Sequence, residues 1–142
     1  MFVIFEGLDK SGKGTLEREF LKATNYKHIV IDRGPAGYIT FDQLFGRQSH
    51  SSNFQFLADA ALAMNSGRFM VVYCVVPEKV AMQRIAEHNE TCPYDYGLAQ
   101  KAYNMNVDAL YNKDKVVVID TTLSVEQCID MILQKFREVF EK

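Results

Sequence analysis

Residues 2–23 read FVIFEGLDKSGKGTLEREFLKA, and this stretch decides the fold. Phe2 to Phe5 is a short β-prone run that reaches a carboxylate at Glu6 and a turn at Gly7. Leu16, Phe20 and Leu21 then recur at helical spacing, with charges between them. The join is GLDKSGKGT, Gly7 to Thr15, in which Gly12 lies five residues after Gly7 and Lys13 follows at once. A glycine-rich turn closed by lysine, after a strand and before a helix, is the setting of a phosphate-binding loop. Glycines let the backbone fold into a nest of N–H groups aimed at phosphate oxygens, and the helix start adds its positive end. Lys13 would reach the β- and γ-phosphates as a point charge. In the usual pattern Ser or Thr follows the lysine directly. Here Gly14 intervenes and Thr15 comes next, so the hydroxyl that would approach Mg²⁺ is displaced. The blander alternative, a strand–helix turn with a solvated lysine, does not use the full context.

Working outward, residues 28–31 form a second β-prone run that closes on Asp32-Arg33-Gly34-Pro35. A strand-end carboxylate is what such proteins use to hold Mg²⁺, and the neighbouring Arg33 can clamp a phosphate. The alternative is a common surface Asp–Arg pair; a phosphate loop on an adjacent strand favours the functional reading. Helical patterns follow at 37–47 and 53–65, the latter with Phe54, Leu57, Ala58, Ala61 and Leu62 on one face. Residues 69–76 make the longest apolar run, as a strand covered on both sides should. Pro77 then opens a helix with Val80 and Ile85. Residues 89–96 are a polar loop, 98–110 a helix and 116–119 a further buried strand. Ser124 with Gln127 makes a capping box ahead of 125–140, whose apolar face is Val125, Ile129, Ile132, Leu133, Phe136 and Phe140.

The order β-α-β-α-α-β-α-α-β-α predicts an α/β, three-layer P-loop NTPase fold: about four parallel strands with helices on both faces. Ligands in such sheets sit outside the carboxyl ends of the strands. The chain has 142 residues, 48% hydrophobic and 24% charged, which suits one globular domain spanning residues 1–142. Its net charge of −2 disfavours a protein that lives on phosphate backbones. Cys74, Cys92 and Cys128 have no metal-ligand spacing, and Cys74 and Cys128 read as small core hydrophobes. No signal peptide or membrane-spanning stretch is seen, so a reducing, cytoplasmic setting without a membrane partner is expected.

With these sites in hand, the sequence resembles the thymidylate kinase family of P-loop nucleoside monophosphate kinases. FEGLDKSGKGT is similar to that family's phosphate loop, and its GKGT ending is familiar from adenylate kinase-type enzymes. IDRG resembles the family's DR motif, and VVYCVVPEKVAMQRI its next strand and helix. PYDY resembles its lid-end Tyr–acid pair, and VVVIDTTLSVEQCIDMI its last strand and helix. The resemblance implies an ATP-dependent kinase with Mg²⁺, passing the γ-phosphate to dTMP or a related nucleotide. It implies that Gly7, Ser11, Gly12, Lys13, Gly14, Thr15 and Leu16 meet ATP, with Arg84 and the Thr121–Thr122 backbone flanking the adenine. It puts Asp9 at the acceptor sugar and Lys10 where some members carry a basic residue for the transferring phosphoryl group. Those members lack an arginine in the lid, and residues 89–96 here contain neither Lys nor Arg. Asp32 and Thr15 would serve Mg²⁺. Lys10, Lys13, Asp32 and Arg33 form the implied catalytic set, with Arg33, Arg47 and Tyr94 toward the acceptor.

One interval departs from the family. Only 18 residues separate Lys13 from Asp32, enough for one helix and a turn. Family members place there an acceptor-binding insert with an arginine and a stacking aromatic. Arg47, or Phe41, Phe45, Phe54 and Phe56, could substitute, although core packing is the commoner fate of such aromatics. The acceptor is then a small nucleotide in a rebuilt pocket at 34–56, with a homodimer partner as one way to complete it. Otherwise it is a hydroxyl on a modified base or a polynucleotide end. A nucleotide-binding regulatory module without transfer is the reading from another class. A histidine base is not called for, and His28, His50 and His88 read as surface or half-buried side chains.

Overall fold

The computed structural model describes residues 1–46 and 54–141, and for 54–58 the backbone alone. Four strands, β1 (Phe2–Glu6), β2 (Ile29–Asp32), β3 (Phe69–Val75) and β4 (Val116–Asp120), pair in parallel in the order β2-β1-β3-β4. The central pair is in register from Phe2↔Phe69 to Glu6↔Tyr73. Alternation along the strands then sorts the core into two layers. Val3 and Phe5 of β1, with Met70, Val72 and Cys74 of β3, face Leu16 and Phe20 of α1 (Lys13–Ala23). The same layer holds Cys128, Ile132, Phe136 and Phe140 of α6 (Val125–Phe140). Ile4, Phe69, Val71 and Tyr73 point the other way. They meet Ala36 and Phe41 of α2 (Pro35–Phe45) and Ala81 of α4 (Glu78–Glu87). Tyr96, Ala99, Tyr103 and Val107 of α5 (Tyr96–Leu110) complete that layer. The expected three-layer α/β architecture, four parallel strands with helices on both faces, is the one observed.

Local chemistry explains most boundaries. The Ser124–Gln127 capping box is formed on both sides. Pro77 is the cap of α4 and not its first helical residue, one position from the expectation. Asp95 caps α5, its carboxylate accepting from Leu98 N–H at 3.0 Å, so this helix starts at Tyr96, two residues earlier than its apolar pattern suggests. β4 is less covered than expected: Ile119 is buried but Val118 is 54% exposed, because β4 is an edge strand with α6 on one face only. Val125 is likewise exposed at the first position of α6. In α3 (Phe54–Ser66) the expected face splits, with Ala61 buried and Leu62 outward. Cys74 and Cys128 are buried free thiols. His28 is half-buried between Phe20 and Phe136, and His88 is exposed; His50 lies outside the described residues. Among the described residues no helix is long and apolar enough to cross a membrane.

Candidate functional site

The strand order places the carboxyl ends of β1 and β2 side by side, with Phe5 paired to Asp32. The loop leaving β1 turns through positive φ at Gly7 (152°), Lys10 (62°) and Gly12 (85°). This alternation is what curls successive N–H groups toward one centre. At Gly12 the space is taken as well, since a Cβ there would lie 3.0 Å from the Thr121 side chain. Helix α1 starts at Lys13, as a nest at a helix N-terminus requires.

Lys13 reaches across to the next strand end, where its Nζ lies 2.7 Å from Asp32 Oδ1 with its side chain largely buried. Glu17, one turn further along α1, brings its carboxyl to the same Asp32. Burial, and then this neighbouring carboxylate, push Glu17 up to about 7. Asp32 moves the opposite way: burial works against its charge, but the Glu17 proton, the Lys13 ammonium and Arg33 hold it below the usual carboxylate range. Of the two carboxyls, Glu17 is thus the one pushed toward its protonated form and Asp32 the one held toward its charged form.

The sign of the pH effect follows. Between its ordinary 4.5 and about 7, Glu17 is protonated in the folded chain and ionised in the unfolded one. The folded state binds more protons there, so stability falls as pH rises through that window and levels off above it. Glu17→Gln is neutral throughout and should remove this slope. Urea unfolding at pH 8 should find the variant more stable than the parent, with no such gain at pH 4; equal stabilities at pH 8 would contradict the assignment.

Beside the loop, Arg84 of α4 ties two segments together. Its Nη1 donates to Lys10 O at 3.0 Å and Thr121 Oγ1 at 3.2 Å, and its Nη2 to Thr121 O at 3.1 Å. A cavity of about 350 Å³ opens beside it, lined among others by Gly12, Thr15, Leu16, Arg84, Thr121 and Val125. Five expected ATP contacts thus share one cavity wall with the exposed Val125. A larger cavity of about 710 Å³ lies against the uncovered face of β4 and is lined by none of the loop residues 7–15.

On the opposite side of the loop, Asp9 meets Arg33 and Tyr94. Arg33 Nη2 is 3.9 Å from Asp9 Oδ1, and the Tyr94 hydroxyl donates to Asp9 Oδ2 at 3.3 Å. Arg33 has a left-handed backbone (φ 67°), and its guanidinium lies over the Phe41 ring at 4.1 Å. Its Nε is buried without a hydrogen-bond partner. Phe41 and Phe45 both meet the Tyr94 ring edge-on, at 6.0 and 6.1 Å. Phe41 is buried, as core packing requires, yet it also forms the wall beneath Arg33. Lys10 points away toward the 89–95 loop and pairs with Glu90 at 3.4 Å. Ser11 is buried with its Oγ unpartnered, under Gly7. Gly14 and Thr15 are exposed on the first turn of α1, with Arg18 donating to Thr15 Oγ1 at 3.4 Å. Arg47 lies outside the described residues, as do the side chains of Phe54 and Phe56.

Sequence reasoning passed over Glu6 and Glu17. Glu17 is four residues after Lys13, hence on the same helix face, a spacing that could have revealed it. Glu6 is fully buried at the end of β1 and accepts four hydrogen bonds, two from Tyr103 and Tyr111 hydroxyls. The one local signal was a carboxylate closing an apolar strand.

Neither family models nor curated proteins give a match to this chain. Among solved structures it is similar to that of a deoxyadenosine kinase from M. mycoides with bound dATP. The TM-score is 0.56 at 18% identity, over 96% of this chain and 100% of that one. At such identity the likeness is one of architecture: a four-stranded parallel sheet between helical layers.

Proposed function

We propose that this chain is an ATP-dependent phosphotransferase that moves the γ-phosphate to a small (deoxy)nucleotide, of thymidylate kinase type, with dTMP or a related monophosphate as acceptor. The observation that carries the reading is the 2.7 Å contact between Lys13 of the glycine-rich loop and Asp32 at the next strand end. A lysine of a phosphate nest and a carboxylate held ionised are the two charges that phosphoryl transfer needs in one place.

The residues present suit both implied groups. Backbone N–H groups at 7–15 would cradle the phosphates, with Lys13 turning from Asp32 to the β- and γ-oxygens. Asp32, joined by Thr15, offers the hard oxygen donors Mg²⁺ prefers alongside phosphate oxygens. When bound, Mg²⁺ neutralises charge on the phosphates and holds them in line. Arg84 and Thr121 would line the donor base, with Leu16 beneath it. On the other side Asp9 would hold the acceptor hydroxyl, oriented by Tyr94. Arg33, with an unpartnered Nε, would release Asp9 and take the acceptor phosphate. Lys10 would swing from Glu90 toward the transferring group.

A second reading has two observations behind it. Only α1, a turn and the start of β2 fill the interval between Lys13 and Asp32, and a similar solved structure is of a nucleoside kinase. The acceptor would then be a deoxynucleoside hydroxyl. Incubation with ATP and Mg²⁺ against deoxynucleosides, their monophosphates and DNA or RNA ends separates these cases by which acceptor yields ADP. Strongest turnover with a pyrimidine deoxynucleoside monophosphate is expected. ATP binding without ADP above background from any acceptor would overturn the enzyme reading in favour of a regulatory module.

A further inference from the structure

Glu6 is a fully buried charge-bearing residue for which phosphoryl transfer, as outlined above, has no use. Alternation along β1 turns it into the α2 and α5 layer, where its four partners are neutral donors. Oε1 accepts from Gly34 N–H at 2.9 Å and the Tyr103 hydroxyl at 2.7 Å. Oε2 accepts from Gly37 N–H at 3.2 Å and the Tyr111 hydroxyl at 2.7 Å. Gly34 is the cap residue of α2 and has no side chain to cap with, so a strand residue supplies the cap from outside the helix. The Tyr103 hydroxyl in turn accepts from Gly7 N–H at 2.9 Å. One carboxylate thereby joins the start of the phosphate loop to the turn that follows Asp32 and Arg33.

The fit is close enough to fix that turn. A Cβ at Gly37 would lie 2.5 Å from Arg33 Cγ, 2.6 Å from Tyr103 Oη and 2.8 Å from Glu6 Oε1. A Cβ at Gly34 would lie 2.7 Å from Tyr111 Oη. Arg33 is pinned from its other side as its N–H donates to Phe5 O at 2.9 Å. Its left-handed backbone is therefore held between β1 and the Glu6-capped start of α2.

Resting on the kinase reading above, we propose that Glu6 is a positioning residue: through Gly34, Gly37 and Tyr103 it sets the distance between the phosphate loop and the Asp32-Arg33 pair. Glu6→Gln keeps the shape but turns one acceptor oxygen into a donor. A tyrosine hydroxyl can rotate to accept, but a backbone N–H cannot, so Gly34 or Gly37 loses its partner. Substrates should still bind while the reacting groups drift, so the expected result is a 10- to 100-fold drop in kcat, with KM for ATP within threefold. Phe20→Leu, in the opposite core layer, serves as the control of comparable melting temperature and should keep its kcat. A folded Glu6→Gln with parental kcat, or a Phe20→Leu control that loses as much, would overturn the proposal. Amide hydrogen exchange at Gly34 and Gly37 reads the same strut without turnover. Faster exchange in Glu6→Gln is expected, and unchanged exchange overturns the proposal even if the parent makes no ADP, an outcome that would sink the kinase reading alone. Should Glu6→Gln not fold, Tyr103→Phe removes the bridging hydroxyl while keeping the ring stacked on Tyr73 at 5.3 Å. A several-fold kcat loss at unchanged KM for ATP supports the role, and parental kcat overturns it.

Discussion

Replacing Lys13 by alanine should cut γ-phosphate transfer by about a thousandfold or more, the scale seen when a fixed charge at a transition state is removed. Lys13 is largely buried at the first position of α1, so its ammonium has lost much of its water before any ligand arrives. In that setting a charge acts more strongly than it would in bulk solvent. The ground state should be affected too, because the β- and γ-phosphates would lose the lysine proposed to meet them, and weaker ATP binding by calorimetry should accompany the loss. The fold should tolerate the change. Removing Lys13 frees Asp32 from one of the charges that holds it ionised, and Asp32 and Glu17 would then share a proton near neutral pH. Melting at pH 6 should therefore stay close to that of the parent, with any deficit growing toward pH 8. Activity above a tenth of the parent's in a folded Lys13→Ala chain would remove the phosphate role from this loop.

How much of this was legible beforehand differs between the two halves of the site. The glycine-rich loop is written locally: a strand, a glycine-rich turn, a lysine and a helix follow one another within residues 2–23, and local spacing carries their geometry. The strand order brings Asp32 to Lys13 with no further information than β-α-β alternation. Contacts that depend on distant segments were hidden. Glu6 meets Tyr103 and Tyr111, 97 and 105 residues away, and no periodicity links them. The acidic partner in PYDY proved to be two things at once, since Tyr94 reaches Asp9 while Asp95 caps α5. Val118 was misread because an edge strand can be as apolar as a buried one, and only the finished fold says which neighbours it has.

The side of the loop proposed for the acceptor is aromatic, with one loose ion pair. Arg33 rests on Phe41, and Asp9 is held by one arginine at 3.9 Å and one tyrosine at 3.3 Å. Both are contacts a ligand could exchange at small cost, since the Arg–Asp pair is long and partly exposed. Such a layout fits an acceptor that supplies its own phosphate to Arg33, in place of a dedicated insert.

Asp32→Asn should lower kcat by about a hundred- to a thousandfold and raise the Mg²⁺ concentration needed for half-maximal rate. The substitution preserves volume and one acceptor oxygen but removes the ionised oxygen that Glu17, Lys13 and Arg33 favour. An amide is a poor ligand for a small hard cation, so any remaining rate should require more metal. ATP affinity without metal should change little, because Lys13 and the loop N–H groups are untouched. Relieved of Asp32, Lys13 would be freer to meet phosphate, and that binding could even tighten. The same substitution leaves a signature independent of turnover. Glu17 loses the carboxylate that, after burial, does most to raise it, so its titration should fall from about 7 toward the ordinary value. The fall in stability with rising pH should then shrink in Asp32→Asn as it does in Glu17→Gln, whereas kcat should collapse only in the former. A parental rate and Mg²⁺ midpoint in Asp32→Asn, with the pH slope reduced as expected, would leave Asp32 as a charge partner of Lys13 and move the metal elsewhere. A coupled loss of rate, metal response and slope is what a residue serving both the cation and the Lys13–Glu17 network must produce.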